Sequence, residues 1–344
     1  MEAPMTTSRQ IQLKGYPDGA PTPDLFQEAT VELPAPQDGQ ALVETLYMSV
    51  DPYMRGRMNP HVKSYIPPFQ LNEPLDGGAV CRVLESKTPE LSEGDIVVGM
   101  GGAGWRSHAI ITPKGFSKID PDLVPLPAYL GVLGMPGLTA WAGLTQIIKP
   151  KEGETLYVSG AAGAVGSLVC QLGKHYGMTV LGSAGSQEKL DWLVREAGVD
   201  HAFNYKEHDA RSLTKAIAEV APKGVDGYFE NVGGMQLEAL LNVIAFGGRI
   251  AACGMIANYN AKELPPGPSS IINIIPRGVL MQGFIVSNYA HLQDDFIKEV
   301  APLVASGKIK HEETIYDGLE KAPEAFLGLF EGANTGKAVV KVGA

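Results

Sequence analysis

Cysteine is scarce in this chain of 344 residues: there are three, Cys81, Cys170 and Cys253, far apart. Such spacing fits neither a disulfide framework nor a metal cluster, and a reducing cytoplasm is the simplest compartment. No apolar run reaches the roughly 18 residues of a membrane span. The polar start, Met1 to Gln10, lacks the hydrophobic stretch of a signal peptide. A membrane is therefore not expected as a partner. Basic charge is in deficit, with a net charge of −10, which argues against nucleic acid as a partner. What is plentiful is glycine, 41 residues, with 25 prolines, and neither is gathered into one low-complexity tract. An apolar content of 44% allows large cores, and the length predicts about two domains.

Residues Thr155 to Gly166 read T-L-Y-V-S-G-A-A-G-A-V-G. A short apolar run ends in a glycine-rich turn, and a helical pattern follows at Val165, Leu168, Val169 and Leu172. Strand, tight turn and helix open a dinucleotide-binding unit. Backbone N–H groups approach the pyrophosphate there, and the helix N-terminus favours its charge. Ala161, Gly163 and Gly166 take the three fingerprint positions, with Ala for the first Gly, and Ala164 and Val165 lie between them. A turn that merely packs a helix on a strand is the alternative. The next strand, Thr179 to Leu181, ends in Gly182, Ser183, Ala184, Gly185 and Ser186, with no carboxylate to read a ribose 2′-hydroxyl. Lys189 follows three residues after Ser186. Small hydroxyl residues beside a cation suit a phosphate dianion, so NADPH is expected rather than NADH.

Residues 1–132 show short β-like runs: Ala41 to Tyr47, Gly78 to Leu84, Ile96 to Gly99 and Trp105 to Ile111. From 133 to 308 strands and helices alternate. The strands are Thr155 to Val158, Thr179 to Leu181, His201 to Asn204, Val225 to Glu230, Gly248 to Ala252 and Leu280 to Phe284. Helical patterns include Gln187 to Glu196 and Ala210 to Val220. This alternation implies an α/β fold with a doubly wound parallel sheet. The tail, 309–344, carries a strand-like Lys337 to Val342 that is expected to return to the first domain.

Seven motifs occur in order: Met48-Ser-Val-Asp-Pro-Tyr-Met-Arg55, Met135-Pro-Gly-Leu-Thr-Ala140, Ala161-Ala-Gly-Ala-Val-Gly166, Phe203-Asn-Tyr-Lys206, Asn231-Val-Gly-Gly234, Leu264-Pro-Pro-Gly-Pro268 and Gly332-Ala-Asn-Thr-Gly-Lys337. With them the chain resembles the medium-chain dehydrogenases/reductases. The likeness is to their zinc-free branch of NADPH-dependent alkenal/one double-bond reductases, which includes prostaglandin reductases and curcumin-reductase-like enzymes. The resemblance implies a GroES-like β domain, formed by 1–132 and 309–344, and a Rossmann domain at 133–308, with cofactor and substrate in the cleft. It implies that Lys189 and Tyr205 hold the 2′-phosphate. Cys253, Gly254, Met255, Ile256 and Tyr259, with Phe284, Ile285 and Val286, border the nicotinamide. Asn334 contacts it, Thr139 helps to seat its carboxamide, and Asn231 bonds the cofactor or fixes its loop. Arg55 is expected to be structural or a cleft-wall ion pair.

Zinc enzymes of this fold use Cys and His early in the chain. Around Asp51-Pro52-Tyr53 there is no Cys, and Asp76-Gly77-Gly78 stands where those enzymes have Gly-His-Glu. No metal is expected. Hydride addition to the β-carbon of an enal or enone, with a donor at the developing enolate oxygen, fits a metal-free site. Tyr53 and Tyr259 are the catalytic candidates, since phenols stay protonated at neutral pH. Each has an alternative as an aromatic wall against substrate. Trp141 and Asn258 depart from the family pattern and are expected to reshape the pocket. The loop His61 to Pro74, with Tyr65, Ile66 and Phe69, reads either as an apolar lid or as a surface loop. The strand from Leu280 to Val286 predicts a homodimer joined edge to edge. Quinone reduction, alcohol oxidation and non-enzymatic NADPH binding are the competing functions.

Overall fold

The computed structural model describes residues 5–343; the first four residues of the polar start lie outside them. The chain forms two compact units: the N-terminal portion through Leu130 together with the segment from Glu313 onward, and Gly131–Glu312.

In the second unit six parallel strands lie in the order His201–Asn204, Thr179–Ala184, Thr155–Val158, Val225–Glu230, Ile244–Ala252, Leu280–Gly283. Leu156, Tyr157, Val158, Tyr228 and Phe229 are fully buried. Burial on both faces is why the central strands read as continuous apolar runs. The order reverses between Thr155–Val158 and Val225–Glu230, and such a reversal opens a crevice at the carboxyl ends of the strands.

Two strands differ from expectation. Thr179 onward continues to Ala184, because Gly182 and Ser183 pair with Ala202 and Phe203. A Cβ on Gly182 would lie 2.9 Å from that of Ala161, so the glycine is a packing residue here rather than a turn. The fifth strand begins at Ile244 and bulges before Arg249, leaving Phe246 83% exposed.

The first unit is built on a sheet of seven strands ordered Glu313–Asp317, Lys337–Lys341, Ala41–Ser49, Ala79–Ser86, Ile96–Gly99, Phe116–Lys118, with His108–Ile111 also paired to Ala41–Ser49. The tail strand joins antiparallel, Val339 opposite Ser49. A hairpin of Thr6–Leu13 and Phe26–Leu33 was not legible in the sequence. Its strands are largely polar and bury few residues, among them Ser8, Gln10 and Leu13. Phe26 stacks on Trp105 at 6.1 Å, and Phe326 meets both edge-on. Phe69 is buried in this core with the Arg57 guanidinium 3.9 Å over its ring, while Tyr65 is exposed. The apolar residues of the 61–74 loop therefore do not form one lid.

Candidate active site

The strand Thr155–Val158 passes through Ser159 into Gly160, whose φ of +59° places it in the left-handed region. Gly160, one residue before the first fingerprint position, is thus the turn residue. Ala161 instead is fully buried and donates its N–H to the Ser183 carbonyl at 2.9 Å. Gly166 closes the turn, since a Cβ there would lie 2.4 Å from the Gly160 oxygen. The helix Ala164–His175 starts at Gly163 with no side-chain cap. Gly163, Ala164 and Val165 are half-buried on the turn's surface, whereas Leu168, Val169 and Leu172 pack inward. N–H groups at a helix start behind a glycine turn suit an anion.

At the end of the second strand, Ser186 precedes the helix Gln187–Arg195 and its hydroxyl makes no capping bond. Lys189 lies on the first turn of that helix. Burial, and then the like charge of Lys206, hold its pKa below the usual lysine range. A Cβ on Gly185 would touch the Tyr205 hydroxyl and Lys206, each at 3.0 Å. Tyr205 and Lys206 therefore flank Gly185, next to Ser186, and Lys189 lies close enough to Lys206 to feel its charge. Lys206 was missed as a site residue; its signal was its place in the Phe203–Lys206 motif. Ser183 does not contribute, because its hydroxyl points inward and donates to Gln236 Oε1 at 2.5 Å.

The fourth strand ends at Glu230, which is fully buried. Its Oε1 accepts from Ser159 Oγ (2.8 Å), Val232 N–H (2.6 Å) and Gly233 N–H (2.8 Å). Its Oε2 accepts from Tyr228 Oη at 2.5 Å. Asn231 donates its N–H to Ser159 Oγ at 2.8 Å and its Nδ2 to the Ser159 carbonyl at 2.7 Å, so it fixes the loop. Cys253 and Gly254 donate their N–H groups to the Glu230 carbonyl at 2.9 and 3.1 Å. Burial, then Glu230, pushes the Cys253 thiol up to about 12, which keeps it neutral. Ile256 opens a single turn that ends at Tyr259. The Tyr259 hydroxyl returns over this loop and accepts from the Met255 N–H at 3.3 Å. A Cβ on Gly254 would lie 3.0 Å from that hydroxyl, so a glycine makes room for it.

Phe284 meets Phe229 and Tyr289 edge-on at 6.1 and 6.0 Å. Ile285 and Val286 follow it, half-buried. Thr139 donates its hydroxyl proton to the Met135 carbonyl at 2.7 Å, so toward a ligand its oxygen can only accept. Trp141 is buried against Phe296 and donates to Glu299 at 2.8 Å.

In the other unit, Tyr53 precedes the short helix Met54–Arg57, and burial, then Asp51, pushes its phenol far above the ordinary range. Arg55 is buried and donates to the Gly19 carbonyl at 2.7 Å, a structural role. Asn334 Nδ2 donates to the Gly336 carbonyl at 2.7 Å.

Residues 9–119 match the family described as the N-terminal domain of oxidoreductase, and 164–306 match the zinc-binding dehydrogenase family. The chain is 44% identical to a 2-alkenal reductase (NADP(+)-dependent) of Nicotiana tabacum, over 98% of both chains. It is 41% identical to an NADPH-dependent curcumin reductase of Escherichia coli, over 97% of both. Among solved structures, CurA from Vibrio vulnificus in complex with NADPH superposes with a TM-score of 0.90 at 40% identity, covering 98% of this chain and 99% of that one. The chain belongs to the medium-chain dehydrogenases/reductases, with the NADP-dependent double-bond reductases among its relatives. One family description names zinc. Among the described residues no group of three or more His, Cys, Asp or Glu side chains could hold a metal ion, so the residues do not fit that metal.

Proposed function

We propose that this protein reduces the C=C bond of α,β-unsaturated aldehydes and ketones with NADPH. The observation that carries this reading is the placement of Tyr259. A backbone N–H fixes its phenol oxygen on the segment that leaves the fifth strand at its carboxyl end. The relatives, of matching length and with reductase names, support it.

The glycine turn fits the cofactor. Gly163, Ala164, Val165 and Gly166 would hold its pyrophosphate; Ser186, Lys189, Tyr205 and Lys206 would hold a 2′-phosphate. When bound, NADPH supplies a hydride to the substrate β-carbon. The electron pair of the C=C bond then moves toward the carbonyl oxygen, which becomes an enolate. Tyr259 donates a hydrogen bond to that oxygen. Its accepted bond from the Met255 N–H limits its rotation. Solvent supplies the proton that completes the α-carbon. Tyr53 is the second proposed donor, held neutral by its burial. Deuterium placed at C4 of NADPH should appear at the product β-carbon, with the α-hydrogen from solvent. Label at the carbonyl carbon would mean alcohol formation and sink the proposal.

We further propose a homodimer. Leu280–Gly283 is an edge strand, and Leu280, Phe246 and Ile275 are exposed at 50%, 83% and 78%. Apolar surface on and near an unpaired edge favours a partner strand. The three cysteines are free, which suits a reducing cytoplasm. Among the described residues no helix is long and apolar enough to cross a membrane.

A further inference from the structure

We propose that Glu230 is a positioning residue that locks the glycine turn and the Tyr259 segment to one another, an inference that rests on the reading of Tyr259 above. Glu230 holds three pieces of backbone, two through its carboxylate and one through its main-chain carbonyl. Through Ser159 Oγ it holds the residue that leads into Gly160; Ser159 in turn takes both the N–H and the side-chain amide of Asn231. Through the Val232 and Gly233 N–H groups it fixes the start of the helix Gly234–Val243, which has no side-chain cap of its own. Through its main-chain carbonyl it takes the Cys253 and Gly254 N–H groups. The next residue, Met255, gives its N–H to the Tyr259 phenol.

No neutral side chain reproduces this. Two backbone N–H groups, a serine hydroxyl and a tyrosine hydroxyl converge on one buried carboxylate, and such charge-assisted bonds are the strong ones. Each donor, left behind in a dry site, would be costly. The carboxylate is not in contact with reacting atoms by this account. It acts by holding Ser159 and Val232 in place, and with them Gly160, Asn231 and the loop before Tyr259.

The test uses Glu230→Gln in the full chain. Its amide keeps one acceptor oxygen but cannot accept at the other atom. NADPH affinity is measured by fluorescence titration, and turnover with an enone is measured in wild-type and Tyr259→Phe backgrounds. Loss of one charge-assisted anchor should weaken NADPH binding roughly tenfold. Turnover should fall by about tenfold in the wild-type background and by less than about threefold in Tyr259→Phe, because coupled residues are not additive. Unchanged NADPH affinity, or equal turnover losses in the two backgrounds, would overturn the assignment. Should Glu230→Gln fail to fold, Glu230→Asp, which keeps the charge on a shorter arm, is carried through the same two measurements. If the wild-type protein reduces no enone, the proposed function fails, while the affinity measurement still decides whether Glu230 holds the glycine turn.

Discussion

Lys337 and Asp51, distant in sequence, form a buried ion pair: Nζ lies 3.0 Å from Asp51 Oδ1 and 2.7 Å from the Val50 carbonyl. Ser49 Oγ completes the carboxylate's shell. The pair ties the first residue of the tail strand to the residue that opens Asp51-Pro52-Tyr53, two motifs that were separate in the sequence. Lys337→Met leaves Asp51 buried without its cation, and breaking such a pair costs about 3–5 kcal/mol. Lys337→Met with Asp51→Asn should recover much of that loss, and urea unfolding of the three proteins checks both statements.

Cofactor choice should rest on the lysine pair. Lys189→Ala should raise the NADPH Michaelis constant at least tenfold, about 1.4 kcal/mol, with little change for NADH. Lys206→Ala should act in the same direction. On the proposed reading Lys189 would bind phosphate as a cation, and its pKa is held down by burial and Lys206. NADPH binding should therefore weaken as pH rises through that depressed value, while NADH binding stays level. Steady-state assays with both nucleotides between pH 7 and 10 measure this; equal use of the two by the wild type would refute it.

Tyr259→Phe should lower turnover and leave NADPH affinity unchanged. Loss of one oxyanion donor typically costs about 10²–10³ in rate. A second donor would reduce that to about tenfold. Tyr53→Phe, alone and combined with Tyr259→Phe, decides the matter: a double variant far worse than either single one identifies Tyr53 as that second donor.

Prolonged EDTA treatment should leave activity intact, because no metal-ligand cluster exists among the described residues. Stoichiometric zinc by elemental analysis would overturn this.

Light scattering at micromolar concentration should give twice the 36.6 kDa chain mass. Leu280→Lys, which charges the edge strand, should shift the protein toward the single-chain mass.

Much of the fold could be read from the sequence, because parallel strands buried on both faces leave unbroken apolar runs. Leu156–Val158 is of this kind, whereas Val225–Glu230, which carries Asp226 and Glu230, was legible from its place in the strand and helix alternation. The hairpin Thr6–Leu13 with Phe26–Leu33 could not, since few of its residues are buried. Gly182 misled by looking like a strand end, since it is small to admit Ala161, and the fifth strand was begun at Gly248 because the bulge before Arg249 interrupts its pattern. The glycine turn was recognised one residue late, because backbone sign at Gly160 leaves no trace in spacing. Glu230 was invisible as a site residue. In the sequence it is only the end of an apolar strand, and its four donors arrive from Ser159, Tyr228, Val232 and Gly233 by folding.

The helix Ala164–His175 begins without a capping side chain, whereas Ala210–Val220 carries a full capping box from Asp209 and Ser212. On the proposed reading the phosphates of the nucleotide would accept from the N–H groups at the start of the former. At a free nucleotide concentration of 100 times Kd, ligation adds about 2.7 kcal/mol to stability. Resistance to proteolysis, and hence the lifetime of the chain, would then follow the supply of reducing nucleotide: the protein would persist where its fuel is abundant and be cleared where it is exhausted.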